Sequence, residues 1–315
     1  MKDLVMHPDR SLLLAFTLVT CAACGDPVDV GNFGGAGGDA GITDSSTGGA
    51  AGAAGSGGSS GGGGTAGAPN PVGTGTGKIA IHFQSTTAPF AHNDGLSGQT
   101  PLSHLSGVRS LELRRTLDDP SPVTVFDFGQ KTVEISYANG ADTLIYTADI
   151  KHLPKATYTI ARVVHTYVRY QIASTMHEGG MNLPGTFDNV QVLSDGTLLD
   201  GTVRNHGYFE FLFKTGGQSF PSTGTNAPLP EWTGVGGFAV IFEKGQWAYQ
   251  FPTNLVVDPD SNADFTLTFL SNMNESYRWA DQDAPGYGKG VFDSTSTSFE
   301  PVKQFGANSF EIQFK

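Results

Sequence analysis

From Lys78 to the end of the chain, large apolar residues recur at every second position, and no stretch shows a helical stripe. Ile79, Ile81 and Phe83 begin the pattern; Val133, Ile135 and Tyr137, then Phe209, Phe211 and Phe213, then Phe265, Leu267 and Phe269, then Phe310, Ile312 and Phe314 repeat it. A period of two sends alternate side chains to opposite faces of an extended segment, so each run has one face to bury and one to leave in water. The longest run, Thr157 to Ala173, sets Tyr158, Ile160, Val164, Val168, Tyr170 and Ile172 against Thr159, His165, Tyr167, Arg169 and Gln171. Between the runs stand Asn139-Gly140, Asp195-Gly196, Asp200-Gly201, Gly216-Gly217 and Gly236-Gly237, dipeptides suited to tight hairpin turns. The expected fold is therefore all-β: an antiparallel β-sandwich body, built as one large or two smaller sandwiches. A seam between two β-halves is expected near Gly179-Gly180 and Pro184-Gly185, dividing 78–178 from 179–315.

Before Lys78 the pattern stops. Residues 25 to 77 hold nearly half of the chain's 43 glycines, no Lys or Arg, and only Val28, Val30, Phe33, Ile42 and Val72 as larger apolar side chains. Such a segment has too little surface to bury to offset its ordering entropy, so 24–77 is expected to be a disordered tether. As a flexible coil it would span roughly 40 Å.

The first residues read as an export signal. Lys2 and Arg10 precede the apolar run Leu12 to Val19, which is too short to cross a bilayer. Two cysteines follow, Cys21 after Leu18-Val19-Thr20 and Cys24 after Cys21-Ala22-Ala23. The placement of these small residues before a cysteine resembles the lipobox of bacterial lipoproteins, and the Gly-rich tether behind it is similar to those of myxobacterial surface lipoproteins. The resemblance implies cleavage after residue 23 and acylation of Cys24, with Cys21 the alternative, and so a lipid anchor in a membrane. Gly25 rather than an acidic residue follows Cys24, so retention at an inner membrane is not signalled; an outer-membrane or cell-surface location is expected.

Other classes are set aside by composition. With 18 basic against 30 acidic residues and a formal charge of -12, electrostatic binding of nucleic acid is disfavoured. Both cysteines lie before position 25, which leaves no disulfide framework and no cysteine metal site in the body. Within the body, Leu153-Pro154-Lys155-Ala156-Thr157-Tyr158 resembles the Leu-Pro-x-Gly-x-Tyr turn of transthyretin-like and carboxypeptidase-regulatory-like sandwiches, with Ala156 in the glycine position. That resemblance, over 78–178, implies a structural or binding module.

Candidate chemistry is sparse. Asp258, Asp260, Asn262 and Asp264 present oxygens at alternate positions, as a calcium loop does for a hard cation, or as an Asx-rich turn does for its own backbone. Asp281 and Asp283 would complete such a site only if the fold brought them close. Trp247, Trp279 and Tyr277 are candidates for a sugar-stacking surface, or for core. The histidines are scattered; His92 with Asp94 is the nearest approach to a metal pair, and His177-Glu178 lacks the second histidine of a zincin helix. Glu210, Glu231, Glu243, Glu275 and Glu300 could supply a glycosidase pair, but nothing singles out two. The bulky segment from Tyr277 to Asn308 is expected to close one end of the sandwich. Together these features favour a non-enzymatic, cofactor-free, membrane-anchored lipoprotein whose body binds an envelope or extracellular partner, protein or glycan. A calcium- or carbohydrate-binding module is the alternative, and a carboxylate-based hydrolase the third reading.

Overall fold

The computed structural model describes residues 70–197, 201–227 and 237–315. Cys24, Cys21, the export signal 1–23, the tether as far as residue 69, Glu231 and Trp232 lie outside the described residues. The described part belongs to one compact unit and is all-β.

In chain order the strands are β1 (Lys78–Thr86), β2 (Ser97–Gln99), β3 (Ser103–Arg114), β4 (Val123–Asp127), β5 (Val133–Ser136), β6 (Asp142–Asp149), β7 (Ala156–Glu178), β8 (Met181–Val192), β9 (Gly196–Thr197) and β10 (Val203–Arg204). They continue with β11 (Phe209–Thr215), β12 (Gln218–Gly224), β13 (Ala239–Glu243), β14 (Gln246–Val257), β15 (Phe265–Asn272), β16 (Tyr277–Trp279), β17 (Asp293–Ser294), β18 (Val302–Gln304) and β19 (Ser309–Phe314). A turn of 3₁₀ helix, Ile150–His152, leads into β7.

β7 is the spine. It runs 23 residues without a glycine or proline and is rich in β-branched and aromatic side chains, which suit a pleated surface. Along one edge it pairs β3; along the other, its first half pairs β14 and its second half β8. β11 and β12 extend the sheet beyond β8, and the whole curls into a half-barrel. Gly179 and Gly180, where a seam was expected, form the tip of the β7–β8 hairpin with φ of 58° and 77°, and the strands on either side are hydrogen-bonded partners. Pairing is antiparallel throughout except for β1 with β15 and β17 with β7.

This one sheet serves two cores. Over the first half of β7, the sheet β19-β15-β1-β6 packs on it, and Ile79, Ile81, Phe83, Leu111, Phe251 and Phe269 are buried between. Over the second half, the small sheet β18-β16-β2 and the loop leading to Phe292 cover Tyr170, Ile172, Phe187 and Phe211. The segment from Tyr277 onward thus does close one end of the body. Tyr158 is fully buried and its hydroxyl donates to the Pro154 carbonyl at 2.8 Å, which ties the turn before β7 to the strand it starts.

The body starts before Lys78, which corrects the expected boundary of the tether. Thr74, Thr76 and Lys78 each donate a backbone N–H, at 2.9 to 3.0 Å, to the side-chain oxygen of Asp260, Asn262 and Asp264. The Thr74 and Thr76 hydroxyls donate to the same Asp260 and Asn262 oxygens. Gly75 and Gly77 donate to the carbonyls of Pro259 and Ser261 between them. The spacing is 186 residues at every rung, and Ile79 opposite Phe265 keeps it. Residues 74–77 are therefore a forward extension of the β1–β15 parallel ladder. Gly73, Gly75 and Gly77 permit it, because a Cβ on Gly75 or Gly77 would lie 2.2 Å from the Ser261 or Ala263 oxygen. Glycine here serves close approach rather than disorder.

Candidate functional site

Strands β3, β7, β8 and β11 lie side by side, and their solvated face carries a recess of about 290 Å³. Register sets Leu105, Arg169, Val190 and Glu210 in one row across the four strands, and Ser103, Gln171, Asp188 and Leu212 in the next. Lys214 stands at one end. Each side chain points the same way because all are an even number of residues apart along their strands.

Two of the charges are closed on each other. Asp188 accepts from Lys214 Nζ at 2.6 Å and from Gln171 Nε2 at 2.7 Å, so both its oxygens are engaged by donors. The other two are open. Arg169 is half exposed, 3.7 Å from Glu134 Oε2, an oxygen that already accepts from Tyr167 at 2.8 Å. Among the described residues Glu210 accepts only a long 3.4 Å bond from Tyr208. Two strand spacings, about 10 Å, separate Arg169 from Glu210, with Val190 between them as an apolar floor. The recess thus offers a cation, an anion, amide and hydroxyl groups and a few methyls on rigid strands. Groups of these kinds can hydrogen-bond the polar atoms of a small ligand.

The residues singled out from sequence fall elsewhere. The oxygens of Asp260, Asn262 and Asp264 face along the 74–78 segment, and Asp258 meets Lys155 Nζ at 3.1 Å and the Asp260 N–H; they are spent on the ladder rather than gathered around a point. Asp281 accepts from Ser97 Oγ, Trp279 Nε1 and the Gly290 N–H. Tyr277 and Trp279 are 1% and 0% exposed, inside the second core, so no sugar face reaches them and they are no stacking surface. Trp247 is partly buried against Phe242, at 5.2 Å between rings. His92 bonds the Asn274 carbonyl while Asp94 pairs with the buried Arg278. Among the described residues no three His, Cys, Asp or Glu gather as metal ligands.

The acids are dispersed likewise. Glu243 meets Arg162 at 3.2 Å, and Glu275 lies 3.6 Å from Arg278. Glu300 is fully buried; burial pushes its carboxyl up, against the Asp293 and Gln282 N–H groups that it accepts from. Both its oxygens hold loop backbone, which makes it a brace for that loop. His177 sits 2.8 Å from both Asn182 Oδ1 and Asp293 Oδ1 at the same place.

Of the recess, Arg169 and Gln171 were legible as the wet face of the longest run and Glu210 as one acid among several. Asp188, Lys214 and Ser103 carried no signal, since only strand register brings them to the others. No known family model matches this chain, and neither a curated protein nor a solved structure matches it.

Proposed function

We propose that this chain is an exported lipoprotein, acylated at Cys24 or Cys21, whose β body is a non-catalytic binding module for a small polar ligand or the polar group of an envelope partner. The lipobox-like segment and the Gly-rich stretch behind it support the anchor. The observation that carries the binding role is the recess on β3, β7, β8 and β11, where Arg169 and Glu210 face solvent with their hydrogen-bonding capacity largely unused. A ligand with an anionic group at one end and an ammonium or hydroxyl group at the other, such as a sugar acid or amino sugar, would satisfy both. A carbohydrate would be held there by hydrogen bonds, Tyr277 and Trp279 being buried in the second core.

Two experiments test the two halves. Metabolic labelling with a palmitate analogue should mark the parent and fail in the Cys24→Ser, Cys21→Ser double variant, which should leave the membrane fraction; equal fractionation would remove the anchor. Titration with a panel of sugar acids and amino sugars, followed by backbone NMR, should shift amides of residues 169–171, 188–190 and 210–214. Arg169→Ala or Glu210→Ala should then weaken binding about 10- to 100-fold, the worth of one charge-assisted hydrogen bond. Unchanged affinity in both variants would overturn the assignment of the recess.

A further inference from the structure

The strands that carry the recess have a second face, turned into the body. There register sets His104, Tyr170 and Asn189 in one row and Ser106, Val168 and Gln191 in the next. Asn189 and Gln191 are 1% exposed and His104 6%. Yet among the described residues His104 Nδ1, both amide atoms of Asn189 and Oε1 of Gln191 have no hydrogen-bond partner. Buried amides are nearly always paired, because their desolvation is otherwise not offset. Here the unpaired atoms are collected on adjacent strands.

Their spacing says what would pair them. Opposed residues on neighbouring strands lie about 5 Å apart and alternate residues on one strand about 7 Å, so His104 and Asn189 are separated by roughly 10 Å. One water, with bonds of about 2.9 Å, bridges no more than about 6 Å. A partner for all of them is longer than one water and carries several groups that both donate and accept, which is what hydroxyls do. It is also uncharged. No side chain of these two rows bears a charge, and burial holds the His104 imidazole neutral by pushing its pKa down to about 3, so an ion would sit there uncompensated. Aromatic rings stand at hand: Tyr170 is 5.2 Å from Tyr277 and 5.5 Å from Phe305, centroid to centroid.

We infer that the inner face of the curled sheet, at the level of His104, Asn189 and Gln191, is an internal site for an uncharged, hydroxyl-bearing guest. Such a guest is a small polyol or monosaccharide, or a chain of waters with the same reach. This site is on the opposite face from the recess and stands whether or not the recess binds a ligand.

The full chain is tested by thermal unfolding of the parent, Asn189→Leu and Gln191→Leu, with and without glucose, N-acetylglucosamine and glycerol at millimolar concentration. With a guest in place, either leucine removes a partner of it, and the melting temperature should fall by about 3 to 10 °C. A sugar or polyol that raises the parent's melting temperature, and not that of Asn189→Leu, identifies an organic guest. No such rise, with the leucine variants still destabilised and a crystal structure showing ordered waters between Asn189 and Gln191, identifies water. Leucine variants as stable as the parent or more so would overturn the inference, since removing an unpaired amide from a dry core is favourable. If the variants do not fold, a crystal structure of the parent decides, and side chains packed with no density between them would overturn it as well.

Discussion

A chain that begins at Lys78 should melt on the order of 5 to 10 °C below one that begins at Asn70, although the residues removed are among the least hydrophobic of the body. Truncation strips the Gly75 and Gly77 N–H bonds to Pro259 and Ser261, and the N–H and hydroxyl pairs that Thr74 and Thr76 make with Asp260 and Asn262. At about 0.5 to 1 kcal/mol net for each exposed bond, less the ordering entropy recovered, the loss comes to about 2–4 kcal/mol. For a body of this size that corresponds to several degrees. Gly75→Val should do nearly the same in the full chain, because a Cβ 2.2 Å from the Ser261 oxygen forces the segment off the ladder. Thr74→Val with Thr76→Val should cost less, since only the hydroxyl bonds go. Differential scanning calorimetry of the four proteins reads this order directly. A truncated body within a degree of the longer one would mean that the ladder contributes nothing.

Acid should weaken the body in a window set by two histidines. His104 and His165 are buried, and burial pushes each imidazole from 6.5 down to about 3, with His104 adding to the effect on His165. At pH values between 3 and 6.5 the unfolded chain binds protons that the folded chain refuses. Stability from these groups is therefore complete above about pH 6.5 and is lost progressively as the pH falls toward 3. At pH 4.5, two units below the ordinary value, each histidine costs about 3 kcal/mol and the pair on the order of 5. That is a large share of the stability of a typical domain. Urea midpoints at pH 7 and pH 4.5 measure it. His104→Gln and His165→Gln should each remove part of the pH slope, and the double variant most of it; a double variant with the parent's slope would show that other groups cause the acid loss.

The two predictions share a lesson about polar residues in this chain. Asp260, Asn262 and Asp264 looked like ligands because their oxygens alternate, and the alternation is real. What it matches is the period of a strand, each oxygen meeting one N–H of the segment 74–78. His104 read only as one of several scattered histidines, and His165 and Tyr167 as part of the solvated face of the longest run, but all three are buried, at 6%, 1% and 0% exposure. Their strands turn them inward.

What the amino-acid order determined by itself was local. The period-two recurrence of Ile79, Ile81 and Phe83, or of Phe209, Phe211 and Phe213, forces extended segments with one buried face, because side-chain direction alternates along any strand. Gly216-Gly217 forces a tight tip between β11 and β12, because only glycine takes positive φ twice in succession without strain. These are properties of a few consecutive residues, and they made the all-β body legible. Only the tertiary structure decided which strands are neighbours. Residues 74–78 lie on 260–264, Tyr277 and Trp279 lie inside, and Arg169, Asp188 and Glu210 share one face while His104, Asn189 and Gln191 share the other. Register between strands far apart in sequence, such as β1 and β15 at a separation of 186 residues, is set by the sum of packing over the whole sheet, and a shift of one residue would exchange the two faces.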